Sequence, residues 1–329
     1  MNKIVEEDLE FIASSKLPWE MLEGKEILIS GINGFIPSYL AKVILYLNEH
    51  KFKKKSIVYG IARQARENVF EKNENLRIWE CDICNITGLY LPKMDYIIHA
   101  AGKSSPKYTK SDILNVVLPN VIGTYNLLEL AKQTNFEGFL FLSSGAVYSN
   151  FDSLNIRSSY SEAKRMGENL CISYMHQYDI PVKIARLFHV YGPNMDLNDG
   201  KMISDFVSDI LNKKDISIKS RGTGVRTLCY ISDAISALYT ILLNGKAGEA
   251  YDIGNENAKV SVFELAKLLC NLYPDLHLTP SFAIPTPNES TIQRGVEVEI
   301  PDTNNLQALG WQPKHLLNSG LIRTIESYQ

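Results

Sequence analysis

Glu26-Ile27-Leu28-Ile29-Ser30-Gly31-Ile32-Asn33-Gly34-Phe35-Ile36-Pro37 reads as a buried strand, a two-glycine turn and the first turn of a helix. EILISG gives the strand, and the residues from Ile36 to Asn48 carry apolar side chains at helical spacing. A pyrophosphate needs backbone that can approach it closely and a helix N-terminus pointing at it. Gly31 and Gly34 provide the first, and Asn33, Phe35 and Ile36 line the approach to the second. Pro37 stands where a third glycine would allow close helix–strand packing, and proline is acceptable in a first helical turn. A two-glycine turn alone also suits a plain strand–helix connection, but its place after a first strand favours a dinucleotide site.

The same alternation continues outward. SIVYGIA (56–62), LRIWECD (76–82), DYIIHAAG (95–102), GFLFLSSG (138–145) and VKIARLF (182–188) read as further strands. Helical stretches separate them: Asp112 to Asn135, interrupted at Pro119, and Tyr160 to Tyr178. Strands alternating with helices predict an α/β fold, a doubly wound Rossmann-type parallel sheet. After about Tyr191 the alternation gives way to short β-rich runs bounded by Gly, Pro and Asp. That shift predicts three parts. Residues 1–23 form an N-terminal extension that either caps the fold or meets another subunit. Residues 24–190, joined by 228–256, form the dinucleotide-binding domain, and 191–329 form a smaller, mainly substrate-binding domain. In open α/β sheets the ligand lies in the crevice at the carboxyl ends of the strands.

Bulk properties narrow the partners. The chain has 329 residues, 45% apolar and 22% charged, with a net charge of -3. That balance argues against nucleic acid or an anionic membrane as the main partner. The acidic start lacks a signal-peptide apolar run, and no stretch has the length of a membrane span. Cys81 and Cys84 form a C-x-x-C with no second pair at zinc spacing, so no metal site is expected. The five cysteines read as free thiols in a cytoplasmic protein.

Other strand ends belong to the same crevice. Asp82, followed by Ile83, ends the third strand where a carboxylate can meet an adenine. His99-Ala100-Ala101-Gly102 ends the fourth, with small residues that let a cofactor lie close, and His99 itself reads as a satisfied core histidine. Lys103 and Ser104 follow on the substrate side. After the second strand, Arg63 and Arg66 stand with no acid before Glu67; this pattern permits NADP and leaves NAD open.

Tyr160-Ser161-Glu162-Ala163-Lys164 opens the helix after the fifth strand. Four-residue spacing puts Tyr160 and Lys164 on one face. A phenol near pKa 10 is a poor base at neutral pH unless a cation favours the phenolate, and Lys164 can supply that charge. Upstream, Leu142-Ser143-Ser144-Gly145-Ala146-Val147-Tyr148 ends a buried strand, and a serine there can bond the same substrate oxygen.

The ordered set GINGFIP, HAAG, NVIGT, LSSGAVY, YSEAK, RLFHVYGP, RTLCYISD and LGWQP resembles an extended short-chain dehydrogenase/reductase. More narrowly, it resembles the NAD-dependent epimerase/dehydratase family acting on nucleotide sugars, from about Lys25 to the end. The resemblance implies Ser144, Tyr160 and Lys164 as the catalytic set, supported structurally by Asn120, with Asn120, Tyr160 and Lys164 also among the cofactor-binding residues. It implies Arg226 as a ligand of the nucleotide phosphates, Asp233 and Trp311-Gln312-Pro313 as structural, and His189 where asparagine is common. In the dehydrating relatives Thr-Asp-Glu precedes Val-Tyr, and the decarboxylating ones carry a glutamate there; here those positions are Gly145 and Ala146. The reaction so implied is sugar epimerisation at C4, ahead of 4-keto-sugar reduction, with a dinucleotide-binding sensor as the alternative of another class. The segment between Ser144 and Tyr160 is shorter than in most relatives, which implies a more open sugar pocket. The resemblance further implies a homodimer through the helices after the fourth and fifth strands, and a role in polysaccharide sugar supply.

Overall fold

The structure is a computed structural model that describes residues 2–66, 68–86, 92–104, 112–133, 136–283 and 298–329. Its centre is a seven-stranded sheet, parallel at every pairing. The strands are β1 (Glu26–Ser30), β2 (Ile57–Ala62), β3 (Leu76–Glu80), β4 (Tyr96–His99), β5 (Gly138–Ser144), β6 (Val182–Leu187) and a late edge strand, Ala250–Ile253. The order is β3-β2-β1-β4-β5-β6 with the late strand beside β6, so the chain reverses direction across the sheet between β1 and β4.

Two apolar layers sandwich the sheet, and the period of two along each strand decides which residue feeds which layer. Ile27, Ile29, Leu140 and Leu142 face one core; Leu28, Phe139 and Phe141 face the other. The first core is closed by α1 (Lys3–Ala13), α2 (Phe35–His50) and a long helix at Ile231–Asn244. The second is closed by α4 (Thr124–Lys132) and α5 (Ser159–Tyr178). Both faces are dry, which is why the strands read as continuous apolar runs rather than alternating ones.

Pro119 does not break its helix. α3 (Leu114–Leu118) passes into α4 through a single π-type segment, Pro119–Gly123, which absorbs the proline's missing N–H. Thr134 and Asn135, the expected end of that helix, and Glu67 lie outside the described residues.

The N-terminal extension caps the fold. Val5, Leu9 and Ile12 of α1 are buried in the first core. Asp8, 1% exposed, accepts from Arg323 at 2.8 Å and from the Tyr230 hydroxyl at 2.9 Å, which ties α1 to the C-terminal helix Leu317–Glu326. After β6 the chain adds small sheets: Val190–Tyr191 with Cys229–Tyr230, Lys259–Ser261 with Val225–Thr227 and Val298–Glu299, and Ile216–Ile218 with Pro280–Phe282. Among the described residues no helix is long and apolar enough to cross a membrane.

Candidate active site

A cavity of about 900 Å³ runs along the carboxyl ends of the central strands. Gly31, Asn33, Gly34, Phe35, Ile36, Arg63, Asp82 and Ile83 line one end. Ala100, Ala101, Gly102, Lys103 and Ser104 line the middle, and Ser144, Tyr160, Lys164, His189 and Arg226 the other end. Residues from eight parts of the sequence therefore share one crevice, at the switch point between β1 and β4.

The first end is built of backbone. Gly31 has φ +71, and a β-carbon there would lie 2.8 Å from the Ala101 α-carbon. Gly34 is the N-cap of α2, and no side chain caps that helix. Its first N–H groups therefore remain available to an anion. Asn33 donates to the Gln64 carbonyl at 2.6 Å, while its Oδ1 is buried without a partner. The glycine turn, the uncapped helix and this orphan acceptor fit a dinucleotide.

The wall between β1 and β4 is held by Ser30. Its hydroxyl accepts from Ala100 and Ala101 N–H at 3.0 Å each and donates to His99 Nδ1 at 2.7 Å. His99 Nε2 then donates to the Pro119 carbonyl at 3.2 Å. This network assigns the tautomer. Burial pushes the imidazole down to about 3, so His99 stays neutral and acts as a core histidine. Asn120 lies behind the wall and does not line the cavity. Its amide donates to the Val116 carbonyl at 2.7 Å, and Gly102 packs against it, so it supports the site without touching the cofactor space. Asp82 sits two residues beyond β3 and caps the next turn through Cys84 N–H at 2.9 Å. Arg63 donates to Asn115, whose amide donates to Asp112, the partner of Lys103 at 2.6 Å.

The other end is built of side chains. Ser144 closes β5, accepts from Ala146 N–H at 3.2 Å and is the side chain that lowers the Tyr160 phenol. The Ser143 hydroxyl is taken up by Glu168 at 2.5 Å, which leaves Ser144 as the serine for the tyrosine. Lys164 donates to the Leu142 carbonyl at 2.5 Å, and its Nζ lies 6.0 Å from the Tyr160 ring centre. Burial pushes the ammonium down to about 7, against the opposing pull of Glu168. Burial also raises the Tyr160 phenol, and the Ser144 hydrogen bond is what lowers it.

Gly145 is fixed by packing, because a β-carbon there would lie 2.5 Å from the Phe188 ring. Neither it nor Ala146 can carry a proton. His189 has φ +34, a region tolerated by asparagine and histidine, which accounts for both residue types at this position. Arg226 reaches the cavity from a short strand and donates to the Val225 carbonyl at 2.9 Å. Lys201, which sequence patterning did not single out, enters the cavity just before the helix Met202–Leu211 and lies 3.4 Å from Ser104. Nothing in its local sequence marks it; only the fold brings it across from Ser104.

A model of the NAD dependent epimerase/dehydratase family matches residues 27–254. The chain belongs to that family. UDP-glucuronic acid decarboxylase 3 of Arabidopsis thaliana is 30% identical over 326 residues, covering 92% of this chain and 89% of the relative. Human dTDP-D-glucose 4,6-dehydratase is 28% identical, covering 95% and 93%. The structure of UDP-glucose 4-epimerase from Thermotoga maritima superposes with a TM-score of 0.77 at 23% identity, covering 92% and 98%. Epimerisation, dehydration and decarboxylation are thus all represented among proteins similar to this family member, and overall similarity does not choose between them.

Proposed function

We propose that the chain is a nucleotide-sugar 4-epimerase that works through a transient 4-keto sugar. The observation that carries this reading is the Ser144–Tyr160–Lys164 set beside Gly145 and Ala146, positions that offer no additional acid or base. A dehydration or a glutamate-assisted decarboxylation needs another proton-transferring group, and Phe188 leaves no room for one at Gly145.

Gly31, Asn33, Gly34 and the start of α2 would hold the dinucleotide, which supplies a hydride acceptor and donor when bound. Tyr160 takes the proton of the C4 hydroxyl and returns it, Ser144 bonds the same oxygen, and Lys164 holds positive charge near the phenol. Arg226, with Lys103, Ser104 and His189, faces the nucleotide-sugar side. Arg63 and Arg66, which follow β2 and line the cavity, favour a second reading, an NADPH-dependent 4-keto-sugar reductase. We place the substrate lobe in residues 191–329 apart from 228–256. We place a homodimer contact on the helices after β4 and β5, where Leu114, Leu118, Ile122, Tyr125 and Met166 are exposed.

Purified protein mixed with UDP-hexoses and UDP-uronates tests the reading. Conversion to the C4 epimer with no net change in nicotinamide absorbance is expected. Stoichiometric NADPH consumption would transfer the assignment to the reductase, and no change with any sugar would transfer it to a sensor.

A further inference from the structure

Three residues on one face of α5, each one turn apart, grip three consecutive residues of β5. Tyr160 interacts with Ser144, Lys164 donates to the Leu142 carbonyl at 2.5 Å, and Glu168 accepts from Ser143 at 2.5 Å. Only the first two belong to the catalytic set. The third is the most firmly built, because Arg186 on β6 donates to both Glu168 oxygens, at 2.9 and 2.7 Å. Such a forked pair fixes orientation as well as distance. Arg186 also donates to the Tyr148 hydroxyl at 2.7 Å, and Tyr148 donates to Asp252 at 2.9 Å. Both flanks of the Gly145–Tyr148 turn that follows Ser144 are therefore anchored to one ion pair.

We infer that Glu168 is a positioning residue for the reaction: clamped by Arg186, it sets the register of β5 on α5 so that Ser144 meets Tyr160, and it faces the Lys164 ammonium with a negative charge. This rests on the reading that Tyr160 and Lys164 carry the proton transfer. The geometry makes the case, since a reactive pair must be held to a fraction of an ångström and hydrogen bonds behind it do that work. The titratable groups facing Lys164 are Glu168, Cys171 and Tyr160 on its own helix and His99 on β4. His99 is neutral, so Glu168 supplies the anion that holds the buried ammonium charged. Losing it makes the ammonium easier to deprotonate.

The test uses the holoenzyme and three variants, Glu168→Gln, Glu168→Asp and Ser143→Ala, assayed for reduction of bound nicotinamide by a nucleotide sugar that the wild type accepts. Glu168→Gln is expected to lower kcat by roughly 10- to 100-fold with KM and cofactor content unchanged. Its alkaline limb should move to lower pH. Glu168→Asp keeps the charge, so it restores the limb but not kcat, because the shorter arm no longer reaches Ser143. Ser143→Ala should lower kcat and leave the limb in place, and it decides the positioning role if Glu168→Gln does not fold. Wild-type kcat and pH profile in Glu168→Gln would overturn the inference. So would a fall in kcat that tracks lost thermal stability and lost cofactor with the limb unmoved. If the wild type neither epimerises any nucleotide sugar nor is transiently reduced by one, the proposed function fails instead. The inference is then decided by lysine side-chain NMR, where an equal Lys164 midpoint in wild type and Glu168→Gln overturns it.

Discussion

The two ends of the cavity are made of different materials. The dinucleotide end is mostly backbone: a left-handed glycine, an uncapped helix and the main-chain wall of Ala100 and Ala101. The reactive end is mostly side chain: a serine, a tyrosine and a lysine from two elements, braced by an ion pair from a third. Backbone sites are specified by what is missing, namely β-carbons, whereas side-chain sites are specified by what is present and by what holds it. One end should therefore fail by crowding and the other by deletion.

Deletion at the reactive end should give the largest effect. Tyr160→Phe removes only the hydroxyl, and turnover should fall by about 10²- to 10⁴-fold while the cofactor stays bound. Rates of sugar-driven nicotinamide reduction, read beside the dinucleotide content of the purified variant, check both halves of that statement. Substantial residual turnover would remove the tyrosine from the mechanism.

Crowding should break the other end. Gly31→Val forces a β-carbon into Ala101 at a backbone angle that branched residues avoid, a strain of about 1–3 kcal/mol. The variant should lose co-purifying dinucleotide and show a lower Tm, and retention of full cofactor content would show that the turn does not carry the pyrophosphate.

Arg226→Ala tests the ground-state side of the comparison. A hydrogen bond from a charged donor contributes about 1.5–3 kcal/mol, so KM should rise by about 10- to 100-fold with kcat little changed. A fall confined to kcat would show that Arg226 does not bind the nucleotide phosphates.

The last expected effect is on the pH dependence of stability. Burial lowers Lys164 to about 7 in the folded protein from an ordinary 10.5. Between those values the unfolded chain binds more protons, so the stability contributed by this group rises with pH across that window. Lys164→Met should remove the rise, seen as a flatter dependence of Tm on pH. An unchanged slope would place the charge elsewhere.

Much of this was legible without coordinates, and the physical reason differs by residue. Ile27 to Ile29 and Phe139 to Leu142 announced a sheet covered on both faces because each is a continuous apolar run. Tyr160 and Lys164 were legible because helical spacing puts them on one face. His99 was legible as a core residue. The place of Asn120, behind the wall rather than in the cavity, was not, since it depends on packing between elements far apart in the chain. Glu168 was invisible for a like reason: a glutamate on a helix is usually solvated, and only Arg186 from β6 and Ser143 from β5 make it a clamp.

By itself the sequence determined the parallel sheet, the glycine turn and the shared helical face of Tyr160 and Lys164, because periodicity and turn chemistry are local properties of the chain. It also determined, through Gly145 and Ala146, which additional acids and bases are missing. The tertiary structure alone decided that Glu168 takes up Ser143, that the first residues close over the C-terminal helix through Asp8 and Arg323, and that Phe188 keeps position 145 empty. Those facts are distances between elements, and no local pattern encodes a distance across the fold.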